Sequence, residues 1–290
     1  MGGDALFSIP KPYFVELTKE NEFDEVTVCN TILPEGLKKA LLTFLVIVSD
    51  FSHKQKSCCN FLIHPSVRVI HHEQFAEEIG NALNDFFNAI NDPLEFELIN
   101  RELMDIWVSL KKSQPDIAHF DDLSILIKKI LNDVIINILI LNSKSPIDVS
   151  YDSGYNIIIG GNSLGRGITI PNLQVVYYCR RTKKYQADTY WQHSRIFGYD
   201  RIFGLVRLFI PSSLFKIFVA VNDSNNTLIN QIRCDKFDKL QIILPENIQP
   251  TRKNVLHTKY LNIVSGGVNY FSNDPGQCNC ESVDNFTLDL

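Results

Sequence analysis

At 290 residues, 45% hydrophobic and 21% charged, the chain is long enough to bury a large core, and its composition excludes a disordered or collagen-like protein. A formal net charge of -5 gives no global signal for nucleic acid, so any phosphate-binding surface has to be local. The cysteines (Cys29, Cys58, Cys59, Cys179, Cys234, Cys278 and Cys280) are odd in number and include an adjacent pair. They resemble no secreted disulfide framework and point to a reducing cytoplasm.

Residues 1–33 read as irregular chain, broken by Pro10 and Pro12 and bounded by Pro34. Met1 to Tyr13 lack the apolar centre of a signal peptide, and such a start is expected of a piece of a longer polypeptide. From Pro34 to Val48 the pattern predicts a helix with proline in its first turn. Asn60–His64 is a short apolar run closed by Pro65, as in a buried strand. Phe75, Ile79, Leu83, Phe86, Phe87 and Ile90 then recur at helical spacing across Glu73–Ile90.

Residues 94–132 are charged and helical in pattern, with a break at Gln114-Pro115, and are expected to form an insertion beside the main sheet. Continuous apolar runs predict buried parallel strands at Val134–Leu141, Asn156–Ile159, Gln174–Tyr178 and Leu205–Ile210. Helices are expected from about Ala187 to Phe197, from Ser212 to Val221, and onward to about Phe237, with irregular chain beyond. Strands alternating with helices predict an α/β fold, a parallel sheet covered on both faces. The expected organisation is a linker at 1–33, a domain at 34–237 and an extension at 238–290. No apolar run approaches a membrane span.

Two segments carry chemistry. In Tyr155–Pro171 a strand opens into a loop with Gly160, Gly161, Gly165 and Gly167 beside Asn162 and Ser163. Glycines let backbone N–H groups approach a phosphate, and they serve equally in a plain tight turn. The spacing fits neither a dinucleotide fingerprint nor a P-loop. In Tyr190–Arg201, Arg195 and Arg201 flank Phe197-Gly198 at a predicted helix end. They could stabilise charge on a transferring phosphoryl group or form surface ion pairs. Between positions 180 and 207, Arg180, Arg181, Lys183, Lys184, Arg195, Arg201 and Arg207 outnumber Asp188 and Asp200, a local excess that favours a phosphate partner. His193 reads as a helix-surface residue. Cys58-Cys59 with His64, His71 and His72 match no zinc spacing, so no metal is expected.

Gly160-Gly-Asn-Ser-Leu-Gly-Arg-Gly-Ile-Thr169 and Arg195-Ile-Phe-Gly-Tyr199 resemble the Z1 domain family, helicase-like proteins associated with endonucleases. Leu33–Ala40 and Phe61–His64 are similar to that family's earlier elements, so the likeness spans roughly 30 to 220. The resemblance implies a C-terminal RecA-like lobe of P-loop-NTPase type. In it, Arg195 and then Arg201 would be the candidates for the γ-phosphate arginine. Gln192, Gly165, Arg166 and Gly167 would line the nucleotide cleft. Gly161, Asn162, Ser163, Arg180, Arg181, Lys183 and Lys184 would meet the nucleic-acid backbone. Ser194 stands where glycine usually precedes the arginine, Thr169 replaces the usual helicase aspartate while fitting the Z1 pattern, and Asp200 is an extra residue before Arg201.

Walker A and Walker B elements are missing from the sequence; Phe23-Asp24-Glu25 and Asp121-Asp122 do not follow a buried strand. ATP and Mg²⁺ are therefore expected only together with an N-terminal RecA-like lobe. DNA and a nuclease subunit are the other expected partners, in a restriction or defence system, with no membrane. The alternative is a non-catalytic α/β interaction domain with decayed helicase motifs. A small-molecule enzyme fits less well, because no nucleophile or acid–base set stands out.

Overall fold

The computed structural model describes residues 14–29, 33–141, 150–161, 169–180, 185–194, 201–234, 241–243, 248–249, 261–264 and 268–271. The chain divides into two compact units, residues 1–183 with 191–219, and residues 184–190 with 220–290.

The first unit is built on a six-stranded parallel sheet. Its strands are β1 (Val15–Thr18), β2 (Cys58–His64), β3 (Ile136–Leu141), β4 (Gly154–Gly160), β5 (Leu173–Tyr178) and β7 (Arg207–Pro211), in the order β1-β7-β5-β2-β4-β3. The chain carries the expected α/β fold, in a layout consistent with a RecA-like lobe. The predicted strand centres hold to within a few residues. The exception is β1, which falls in the stretch read as irregular; it is an edge strand of four residues, only partly buried, and lacks an apolar run to announce it.

Every second residue of the central strands faces one core. Cys59, Phe61 and Ile63 of β2, Tyr155, Ile157 and Ile159 of β4, and Val175 and Tyr177 of β5 pack there against helix α1 (Glu35–His53) and helix α2 (Val69–Asn91). The segment predicted as a helical insertion forms α3 (Pro93–Ser113) and α4 (Phe120–Asn132), and these pack over α1 and α2. That is why α1 is buried at every position from Ala40 to Phe51: the sheet covers one side and α3 and α4 cover the other. Asp50, fully buried in α1, fixes this layer. Its Oδ1 accepts the Ala118 backbone N–H at 2.9 Å, and its Oδ2 accepts from Lys54 Nζ at 2.8 Å.

The other face of the sheet carries Asn60, Leu62 and His64 of β2, Asn156 and Ile158 of β4, and Tyr178 of β5, all buried. Helices reach this face too: the Tyr178 ring packs edge-on against Phe218 of α6 (Ser212–Arg233). An asparagine row fixes the register. Asn137, Asn156 and Asn60 are aligned across β3, β4 and β2. Asn137 Nδ2 donates to Asn156 Oδ1 at 3.0 Å, and Asn156 Nδ2 donates to Asn60 Oδ1 at 2.9 Å. A slip of one residue in any one of these strands would turn its amide into the apolar core and away from its neighbours.

In the second unit, β6 (Tyr185–Gln186) pairs in parallel with β9 (Ile248–Gln249). Strands β8 (Gln241–Ile243), β10 (Leu261–Val264) and β11 (Val268–Phe271) form an antiparallel sheet in the order β10-β11-β8. These short strands replace the irregular chain expected beyond residue 237. Helix α6 ends at Arg233, close to its expected end.

Candidate functional site

The chain leaves β2 through α2, α3 and α4 towards β3, and leaves its neighbour β5 in the opposite direction, towards β7. Neighbouring strands whose connections diverge in this way open a crevice at their carboxyl ends, the usual ligand position in open α/β sheets. The residues at this edge are His64 at the end of β2 and Ser66 after it, Gly161 after β4, Tyr178 and Arg180 at the end of β5, and His193 in the last turn of α5 (Ala187–Ser194).

Gly161 sits where no side chain fits. A Cβ there would lie 2.7 Å from the Ser66 carbonyl oxygen and 3.2 Å from His72 Nε2. The facing loop is itself clipped: the Ser66 hydroxyl accepts the Arg68 N–H at 3.0 Å and lies 2.7 Å from His71 Nδ1, while His72 Nε2–H donates to the Ser66 carbonyl at 2.9 Å. The glycine is thus required by close approach of two strand ends.

His193, expected on a helix surface, is instead buried, with 2% exposure. Its Nε2 lies 3.2 Å from Arg180 Nη1 and its Nδ1 lies 2.8 Å from the Tyr178 hydroxyl. A guanidinium can only donate, so Nε2 accepts, Nδ1 carries the proton, and the Tyr178 oxygen accepts it. Burial, and then the Arg180 charge, lower the His193 pKa to about 3, which keeps the ring neutral. The ring of His64 packs against His193 at 4.6 Å and against Tyr178 at 4.9 Å between centroids. His64 is fully buried with neither ring nitrogen hydrogen-bonded, and burial above all holds its pKa well below the usual range, with the nearby Arg180 charge acting in the same direction. One sequence signal for this cluster was available: Tyr178, Cys179 and Arg180 close an apolar strand with a cation. Nothing local tied His64 to His193.

Other expected site residues part company. Arg201 Nε donates to the Leu173 carbonyl at 2.8 Å and Nη2 donates to the Ile170 carbonyl at 3.4 Å, at the amino end of β5. A six-residue strand, at about 3.3 Å per residue, separates it from the carboxyl edge. Arg201 is therefore a clamp on the entry to β5, not a second cleft arginine. Arg207, counted with the basic excess, is also internal: 2% exposed, it donates to the Gly204, Val206 and Ser109 carbonyls and to Ser113 Oγ. Burial lowers its pKa to about 10, so it stays charged. Gln192 lies in the last turn of α5, half-buried, one residue from His193. Arg195, Gly165, Arg166, Gly167, Asn162, Ser163, Arg181, Lys183 and Lys184 lie outside the described residues.

Glu22 is a buried carboxylate at the same edge. Its Oε1 accepts from the Gly36 and Lys19 N–H groups at 3.0 and 3.2 Å, and its Oε2 accepts from the Tyr177 hydroxyl at 2.7 Å. With these bonds it ties β5 to the start of α1. Cys58 and Cys59 stand at the other end of β2 from His64, and among the described residues no group of three or more His, Cys, Asp or Glu is placed to hold a metal. A cavity lined by Glu16, Lys38, Lys39, Glu102 and Arg207 lies over α1 and α3, but its lysines already pair, Lys38 with Glu102 and Lys39 with Glu16.

Residues 36–254 match the Z1 domain, which is most of the chain. The chain belongs to the Z1 domain family. No curated protein and no solved structure matches it. In this Z1 domain the match covers the crevice residues, from His64 and the loop after β2 to Arg180 and α5, while Glu22 lies before it. No helix among the described residues is long and apolar enough to cross a membrane.

Proposed function

We propose that this Z1 domain is the second, RecA-like motor lobe of an ATP-dependent helicase or translocase acting on DNA in a restriction or defence system, in the cytoplasm. A preceding RecA-like lobe supplies the triphosphate grip and Mg²⁺, and a nuclease subunit cuts. Arg195 is the arginine finger that stabilises charge on the transferring γ-phosphoryl group. Gln192, Gly165, Arg166 and Gly167 border the nucleotide. Gly161, Asn162 and Ser163, with Arg180, Arg181, Lys183 and Lys184, hold the DNA backbone. Of the two arginines that the family likeness suggested for the γ-phosphate, Arg195 is preferred here, because Arg201 Nε and Nη2 donate to carbonyls at the amino end of β5.

The observation that carries this reading is the shared edge. Gly161, from which the glycine loop departs, and the last turn of α5, from which the Arg195 segment departs, stand on the two sides of the β2 terminus at the carboxyl end of the sheet. A phosphate-handling loop and an arginine-bearing helix need a common crevice to act on one nucleotide.

The test is hydrolysis. The 290-residue chain is expected to bind ATP feebly and not to turn it over, having no Walker A loop. Joined to the preceding lobe, Arg195→Ala is expected to leave nucleotide binding nearly intact and to slow hydrolysis by about 10³-fold. Robust turnover by the chain alone, or an unchanged rate in the variant, overturns the reading.

A further inference from the structure

We propose that Arg180 is a phosphate-binding arginine whose guanidinium is set in place by a relay of positioning residues, Tyr178 and His193, at the carboxyl edge of the sheet. Its role towards DNA rests on the motor reading above; the relay itself rests on geometry.

The observation is an unusual choice of partner. Arg180 is half-buried, and its hydrogen bond is to His193 Nε2, an uncharged acceptor. Among the described residues no carboxylate forms an ion pair with it, whereas Lys19, Lys38, Lys39 and Lys54 each have one. A partly desolvated cation ordinarily finds an anion, because an uncompensated charge away from water is costly. The imidazole fixes where the guanidinium points without neutralising it. One of its five N–H donors goes to His193, so the planar fork remains suited to two oxygens of a phosphate.

The relay is built to stay in this state. Tyr178 accepts the Nδ1 proton of His193, which leaves Nε2 as a lone-pair acceptor facing Arg180. The His64 ring packs on His193 and on Tyr178 and stops the imidazole from turning. A cationic His193 would repel Arg180, and burial prevents that form at neutral pH. Arg180 and the relay also share the crevice edge with Gly161, where a ligand is expected on topological grounds.

Phosphate chemistry can come from a DNA backbone or from a nucleotide, and two arms separate them. Binding of the 290-residue chain to a single-stranded DNA oligonucleotide is measured over a salt series, and binding to ATP at fixed salt. Inorganic pyrophosphate serves as a third probe. Arg180→Ala is expected to weaken the phosphate ligand about tenfold, and, for DNA, to make the salt dependence shallower by about 0.7 in log–log slope. His193→Leu is expected to reproduce both effects with Arg180 still present, and the double variant to be no worse than either. His193→Gln, which keeps an acceptor, is expected to restore binding to within about twofold. An effect confined to the DNA arm assigns the backbone as source, and one confined to ATP assigns the nucleotide.

Should His193→Leu fold poorly, Tyr178→Phe removes a single oxygen. It is expected to weaken binding with Arg180 present and to do nothing in an Arg180→Ala background; equal losses in both backgrounds overturn the relay. Nitrogen NMR is expected to report His193 with its proton on Nδ1, and a proton on Nε2 instead would also overturn it. A wild-type chain that ignores DNA and ATP yet binds pyrophosphate through Arg180 and His193 removes the motor reading and leaves the relay standing. Binding to none of the three, or Arg180→Ala without effect in any, overturns the inference itself.

Discussion

The two ends of the parallel sheet treat their polar groups in opposite ways. At the amino end, Arg207 is surrounded by carbonyls of Gly204, Val206 and Ser109 and by the Ser113 hydroxyl, and Arg201 is bonded to Ile170 and Leu173. At the carboxyl end, His64 has two buried ring nitrogens with no hydrogen bond, and Arg180 leans on a neutral imidazole. Native interiors leave few buried polar atoms unmatched. Among the described residues the carboxyl end holds both His64 ring nitrogens, His72 Nδ1 and Thr18 Oγ1 in that state, against Arg201 Nη1 at the amino end. The contrast is therefore between an end shaped mainly by stability and an end that has kept more bonding capacity. Arginine as a residue type therefore says little here: the same side chain is a rivet at one end and an open hand at the other.

Acid should expose the difference most strongly. His64 and His193 are held neutral in the fold, with pKa values below that of a free histidine, about 6.5. As pH falls below about 6.5 the unfolded chain binds protons at these rings and the folded chain does not. Stability should therefore drop on acidification, by about 1.4 kcal/mol per pH unit for each ring, until the folded pKa is reached. Urea midpoints between pH 7 and pH 5 give the slope, and His193→Gln should flatten it. An unchanged slope would mean that the imidazole is not held neutral. Next in size, Arg207→Leu should cost about 3 kcal/mol in urea unfolding, because it strands carbonyls that lie away from water. A loss below about 1 kcal/mol would show the amino end to be less tightly built than its hydrogen bonds suggest. At the carboxyl end, Gly161→Ala should cost about 1–3 kcal/mol by pushing a methyl against the Ser66 carbonyl. Smallest and opposite in sign, His64→Phe should raise stability by about 1 kcal/mol, since it removes buried nitrogens that bond to nothing. A clear loss instead would mean that those nitrogens do have a partner in solution.

The sheet was readable from the sequence because its central strands are continuous apolar runs closed by glycine or proline, as at Ile157–Gly161 and Phe61–Pro65. Val15–Thr18 was not, since an exposed edge strand with a charge in it has the look of loop. Nor were β8 to β11, at two to four residues each, which are too short to establish any period. The site was half readable. Arg180 and Gly161 stood out through charge and glycine spacing, and both lie at the crevice edge. Arg201 misled because nearness in sequence says nothing about which end of a strand a residue reaches: seven residues of chain from Ser194 can span about 23 Å, more than the length of β5. His193 misled because α5 has too few turns to display an apolar face. Its burial comes from β2 and β5, more than a hundred positions and fifteen positions away respectively.

The extra helical layer has a practical corollary. From Ala40 to Phe51 helix α1 is apolar or internally bonded on every side, so α3 and α4 act as its roof. Trimming residues 93–132 to obtain a minimal domain would lay bare a continuous greasy cylinder, and such a variant should precipitate rather than fold as a smaller domain.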